Sequence, residues 1–136
     1  MKNLKTLILS AILLIGCAPQ LLARPVHPDL AVRQFQFRPS SPQAVWVQVI
    51  NYGGANAPPS TLRLTVRVIN GITVARTTDL ALPVIAAGDD MWVMVDATSI
   101  LPVSVDLIDT TFRADADADG TIPESNESNN RLWHNL

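Results

Sequence analysis

In Leu62-Arg-Leu64-Thr-Val66-Arg-Val68, apolar and polar residues alternate without a break. Successive side chains of a strand point to opposite faces, so this run places Leu62, Leu64, Val66 and Val68 on one face and Arg63, Thr65 and Arg67 on the other. Residues 44–50, 91–95 and 103–108 repeat the theme, with valines and aromatics where strands favour them. Turn formers bound these runs: Asn51-Tyr-Gly53-Gly54, Asn70-Gly71, Ala87-Gly88-Asp89 and Leu101-Pro102. Asn70-Gly71 suits a two-residue type I′ turn, because both residues tolerate positive φ, and it predicts a hairpin from 62–69 into 72–75.

Near the start, Leu30 and Val32 lie at even positions whereas Phe35 and Phe37 lie at odd ones. The inward phase therefore slips around Arg33-Gln34, which predicts a bulge and a first strand that passes from one sheet to the other. Helical periodicity is missing after residue 27. Short strands at regular spacing, with turns between them, predict an all-β sandwich of about seven antiparallel strands.

The N-terminus has a different grammar. Lys2 and Lys5 precede an apolar run over 7–15, and Gly16-Cys17 follows at once. This reads as a secretory leader, too short to span a bilayer. Leu14-Ile-Gly-Cys17 resembles the bacterial lipobox, in which cleavage leaves a lipid-bearing Cys first. Cleavage after Ala23 or Ala18 fits worse, because Leu21 sits where a small residue is wanted and Pro19 would come first. Cys17 is the only Cys in the chain, so it has no intramolecular disulfide partner.

The expected division is a lipoprotein signal at 1–16, a lipidated Cys and tether at 17–27, and a folded domain at 28–136. At roughly 3.1 Å per extended residue, the tether spans about 30 Å. Two of the ten basic residues leave with the leader, so eight arginines face twelve carboxylates and the net charge is −4. That balance disfavours nucleic acid as a partner. Any membrane attachment is expected through the lipid alone.

Several motifs together carry a family resemblance. Pro28-Asp-Leu-Ala-Val32, Val47-Gln-Val-Ile-Asn51-Tyr-Gly53, Leu82-Pro to Gly88, and the ending Glu124-Ser-Asn-Glu-Ser-Asn-Asn130 resemble CARDB domains, the cell-adhesion-related domains of bacteria. The resemblance implies an immunoglobulin-like sandwich outside the cytoplasm. It implies a non-enzymatic adhesion or protein-binding domain on the cell envelope, at the outer membrane given Ala18 after the Cys. The expected partner is an envelope or surface protein, or a glycan. Two alternatives stay open: an accessory carbohydrate-binding module, and a stabilising subunit of an envelope complex.

The candidate site is the acidic turn. Asp115, Asp117, Asp119, Glu124 and Glu127 fall within residues 115–127. Asp115, Asp117, Asp119 and Gly120 match positions 1, 3, 5 and 6 of a calcium loop. Position 12 is Asn126 rather than Glu, and Pro123 interrupts the loop, so it is no EF-hand. Two readings remain: a calcium site at a hairpin tip, with Glu124 or Glu127 reaching in, or a turn braced by Asn126, Asn129 and Asn130 whose carboxylates stay solvated.

Trp46, Trp92 and Trp133 are the candidate contact residues for a sugar or a protein partner. Trp46 and Trp92 alternate with Val47, Val49, Val93 and Val95, which predicts that they point outward. His27 and His134 lie at the two ends of the domain, and no nucleophile motif accompanies either, so no catalytic residue is expected.

Overall fold

The computed structural model describes residues 26–38, 41–102 and 109–136. The leader at 1–16, Cys17 and the strand expected over 103–108 lie outside the described residues. The described strands are β1 (Leu30–Arg38), β2 (Ser41–Asn51), β3 (Ser60–Ile69), β4 (Ile72–Leu82), β5 (Asp90–Asp96), β6 (Thr111–Asp115) and β7 (Arg131–Asn135). They form two antiparallel sheets, ordered β1-β2-β5 and β4-β3-β6-β7. This is the all-β sandwich expected from the alternating runs, and its three-on-four division matches the immunoglobulin-like form that the resemblance implies.

Alternation decides which side chains meet between the sheets. Val45, Val47 and Val49 of β2 are fully buried, with Val93 and Val95 of β5 beside them in register. Leu62, Leu64 and Val66 of β3 join Phe112 and Ala114 of β6 in the same core. Each buried Val, Leu or Phe among them contributes about 1.5–3 kcal/mol on leaving water. The β3–β4 hairpin turns at Asn70 and Gly71, with φ of 48° and 75°, as the type I′ turn requires.

Three expectations need correction. The bulge in β1 is present between Val32 and Gln34, but β1 pairs with β2 from Leu30 to Arg38 and does not cross to the second sheet. Its effect is to turn Phe35 and Phe37 inward. Their rings stack at 6.1 Å and meet His134 of β7 at 5.4 and 5.2 Å, while Phe37 meets Phe112 at 5.0 Å. A second register shift, between Val66 and Val68, leaves Val68 half-buried and sends Ile69 into the core instead. Strand β4 runs on to Leu82 rather than ending at residue 75, because its polar, largely exposed run pairs with β3 along the sheet edge.

Candidate functional site

Strand β6 ends in the acidic turn, and its last residue sits in a row that crosses the whole four-stranded sheet. Asp79 of β4 pairs with Arg63 of β3, Arg63 with Asp115 of β6, and Asp115 with Arg131 of β7. Because Leu62, Leu64 and Ala114 face the core, this row lies on the sheet's outer face. Arg63 grips Asp79 with two parallel bonds, Nε to Oδ1 and Nη2 to Oδ2, each 2.8 Å. The hydrogen bond from Arg63 is the main reason that the Asp79 carboxyl titrates below its ordinary value. Asp115 accepts from Arg113 Nε at 2.7 Å and from Arg131 Nε at 2.5 Å, although only 7% of the aspartate remains exposed.

The next two aspartates have different tasks. Asp117 is 4% exposed and adopts a positive φ of 43°. Its Oδ1 accepts from the Thr121 amide and hydroxyl at 3.2 and 3.0 Å, and its Oδ2 accepts from the Ile122 amide at 2.9 Å. It therefore caps the turn and seats Ile122 in the core. Asp119 points back over the sheet to Arg63 at 3.3 Å. Asp115 and Asp117 are thus buried against protein groups, whereas Asp119 stays half exposed to solvent.

The remaining polar residues brace the loop before β7. Asn126 Oδ1 accepts from the Ser128 amide and hydroxyl, and Glu127 Oε1 accepts from the Glu124 amide. Asn129 Nδ2 donates to Asp29 Oδ1 at 2.8 Å, and the Ser125 amide donates to the Pro28 carbonyl at 2.9 Å. The bracing role expected of the asparagines is thus present at Asn126 and Asn129, and it ties the loop to the start of β1.

Glu124 is half-buried, and its carboxyl is pushed from an ordinary 4.5 up to about 7, first by burial and then by the charges of Glu127 and Asp117. Weak hydrogen bonding from the Asn130 side chain and the Leu30 backbone partly offsets the rise. A carboxyl whose folded pKa is raised holds its proton more tightly when folded, so its contribution to stability falls as pH climbs from 4.5 through about 7. After discounting for exposure, the loss is on the order of 1–2 kcal/mol. Glu124→Gln is expected to abolish this slope between pH 5 and 8. Urea melts at the two pH values check it, and an unchanged slope in the variant would count against burial as the cause.

A cleft of about 360 Å³ lies between the turn and β7, lined by Asp115, Asp117, Glu127, Asn130 and Arg131 among others. It does not gather a ligand set. Among the described residues, no three His, Cys, Asp or Glu side chains converge to hold a metal ion. Of the expected calcium set, the three aspartates meet guanidinium groups, backbone amides and the Thr121 hydroxyl, Glu127 meets the Glu124 amide, and the Glu124 carboxylate stands apart from them.

The tryptophans divide between the two sheets. On the outer face of β1-β2-β5, the register lines up Gln34, Gln48 and Trp92 in one row, and Gln36, Trp46 and Met94 in the next. Both indoles are partly exposed and Met94 is 49% exposed. The Arg38 guanidinium covers Trp46 at 5.0 Å, and Gln48 Nε2 donates to Asp90 Oδ2 at 2.6 Å. Trp133 lies on the outer face of the other sheet, under Arg113 at 5.5 Å. The three indoles therefore share no platform. His134 is half-buried against the Phe35 and Phe37 rings, and His27 contributes its carbonyl to the Gly54 amide.

One structural residue escaped the reading from sequence. Asn51, expected only as a turn former, is completely buried. Its Oδ1 accepts from the Asp29 and Gly53 amides, and its Nδ2 donates to the Ala55 and Ile85 carbonyls. The signal that could have found it is its place at the end of a buried strand, two residues before Gly53.

The CARDB family's sequence model matches residues 27–133. No curated protein matches the chain. Among solved structures, the chain is similar to the CARDB domain of a Pyrococcus furiosus protein crystallised in complex with di-metal ions. Identity is 19%, coverage is 83% of this chain and 90% of that one, and the TM-score is 0.55. It is also similar to residues 272–376 of a Methanosarcina acetivorans protein named as a cell surface protein, solved by solution NMR, with 18% identity, 81% and 90% coverage and a TM-score of 0.57. At these identities the likeness is one of fold. The metal ions belong to the Pyrococcus domain; in the present acidic turn, protein cations and amides already engage Asp115, Asp117 and Asp119.

Proposed function

The chain belongs to the CARDB family, and on that premise we propose that it is a non-enzymatic adhesion or protein-binding domain, held outside a bacterial cell by a lipid on Cys17. Most support comes from the outer face of the three-stranded sheet. There Trp46, Trp92 and Met94 stand partly exposed beside Gln34, Gln36 and Gln48, with Arg38 over Trp46 and Asp90 held by Gln48. Large aromatics in that setting supply contact area at low entropic cost. The leader and the tether at 17–27 would present this domain at the membrane surface, with Ala18 favouring the outer membrane. Calcium, the cofactor expected from Asp115, Asp117 and Asp119, gains no support from the ligand geometry and has no part in the proposed role.

A glycan partner is the second reading. The amides of Gln34, Gln36 and Gln48 beside two indoles favour it, because amides bond sugar hydroxyls while indoles stack on their apolar faces. Trp133, on the opposite sheet, does not contribute.

Sedimentation with isolated envelopes tests both readings. The Cys17→Ala chain is expected to lose palmitate labelling yet still bind, and adding Trp46→Ala and Trp92→Ala is expected to weaken that binding by about tenfold or more. Equal labelling with and without Cys17 would remove the lipid claim, and unchanged binding without the indoles would remove the face. Binding that survives protease treatment of the envelopes would favour the glycan.

A further inference from the structure

The acidic turn looks in sequence like a place for a divalent cation, yet the sheet beneath it supplies cations of its own. Asp79, Arg63, Asp115 and Arg131 alternate in sign across all four strands at one register level. Arg113, two residues before Asp115 on the same outer face, adds a second guanidinium to Asp115, and Asp119 of the turn adds a second carboxylate to Arg63. Three arginines thus face three aspartates in two adjacent triads, Asp79–Arg63–Asp119 and Arg113–Asp115–Arg131, whose charges sum to zero. Asp115 is more than nine-tenths buried and both its oxygens are bonded. A metal ion entering there would first have to displace the guanidinium groups of Arg113 and Arg131 from a buried carboxylate.

We propose that this chain holds its acidic turn with its own guanidinium groups, Arg131 and Arg113 on Asp115 and Arg63 on Asp119, and that its folding is independent of divalent cations. The turn is joined to the sheet at both ends of the network. Arg63 reaches Asp119 beyond β6, and the Ala118 amide donates to the Thr61 carbonyl at 2.9 Å, while Arg131 opens β7 directly opposite Asp115. Arg131 therefore links the loop over residues 116–130 to the strand that follows it.

Thermal unfolding of the full-length chain in EDTA, in calcium and in magnesium tests the proposal. The wild type is expected to melt at the same temperature in all three, within about 1 °C, whereas an ion bound at one hundred times its dissociation constant would raise the melting temperature by about 10 °C. Arg131→Met, which keeps the stem and removes the charge, is expected to lower it by about 5 °C or more in every buffer. Adding Arg113→Met to that variant is expected to lower it further, because Asp115 is then buried with neither guanidinium, and Asp115→Asn on top is expected to recover at least half the loss, because the stranded charge goes too; a merely disrupted strand would not recover. A melting temperature of the wild type that falls in EDTA or rises in calcium would overturn the proposal, as would an Arg131→Met chain as stable as the wild type. Where Arg131→Met fails to fold, the wild-type comparison still decides the cation question. Either result leaves the envelope-binding reading intact, since Trp46 and Trp92 lie on the other sheet.

Discussion

Asn51→Ala is expected to cost about 3–5 kcal/mol, a large share of the roughly 5–15 kcal/mol that holds a domain of this size. The side chain is fully buried at the end of β2, and all four of its bonds go to backbone groups: the amides of Asp29 and Gly53 and the carbonyls of Ala55 and Ile85. Alanine would leave those groups without a partner where water has little access, at about 1–3 kcal/mol for each one stranded, partly relieved by local relaxation. The damage reaches three segments at once, because Asp29 leads into β1 and Ile85 belongs to the stretch bridged to Ala57. Asn51→Asp keeps the acceptor and loses the two donors, so it too is expected to destabilise. Urea denaturation measures both variants. A loss below about 1 kcal/mol for alanine would mean that a water molecule takes over the bonds.

Gly53→Ala is expected to be comparably damaging for a purely steric reason. A Cβ on residue 53 would lie 2.2 Å from the His27 carbonyl oxygen, 2.6 Å from the Pro28 carbonyl carbon and 2.7 Å from the Asp29 amide nitrogen. All three are backbone atoms, so no side-chain rotation relieves the overlap, and the segment leading into β1 would have to move away. That movement would strain the bonds from Tyr52 and Gly54 to Asp29 and His27, and from Ser125 to Pro28. A cost of about 3 kcal/mol or more follows, with faster proteolysis at residues 26–29 as a second readout. Gly71→Ala is the control. Its Cβ would meet nothing within 4 Å, and only its φ of +75° disfavours alanine, at about 1 kcal/mol. Equal losses at the two glycines would refute the close-approach argument.

The two substitutions show where reading from sequence stops. Asn51-Tyr-Gly53 was legible as a turn, because Asn and Gly mark turns locally. Its role as the joint between β2, the start of β1 and the stretch around Ile85 was not, because each bond depends on a segment distant in the chain. The bulge at Val32 and Gln34 was visible in the even-to-odd slip of the apolar residues. The one near Val68 was not, because Val66, Val68 and Ile69 are all apolar and either phase is consistent with them.

The same division runs through the candidate site. By itself the sequence determined the architecture: a sandwich of alternating strands, the Asn70-Gly71 hairpin, the inward valines and the outward Trp46 and Trp92. It could do so because a strand's two faces are written in neighbouring residues, with a period of two. Only the tertiary structure decided what the carboxylates do. Asp119 meets Arg63 from 56 positions away, and Asp115 meets Arg131 across a strand pair that closes a loop, so aspartates that look like one ligand set go to separate partners. Charge pairing, unlike alternation, is settled by whichever groups the fold brings within about 3 Å of one another, and sequence distance carries no record of that.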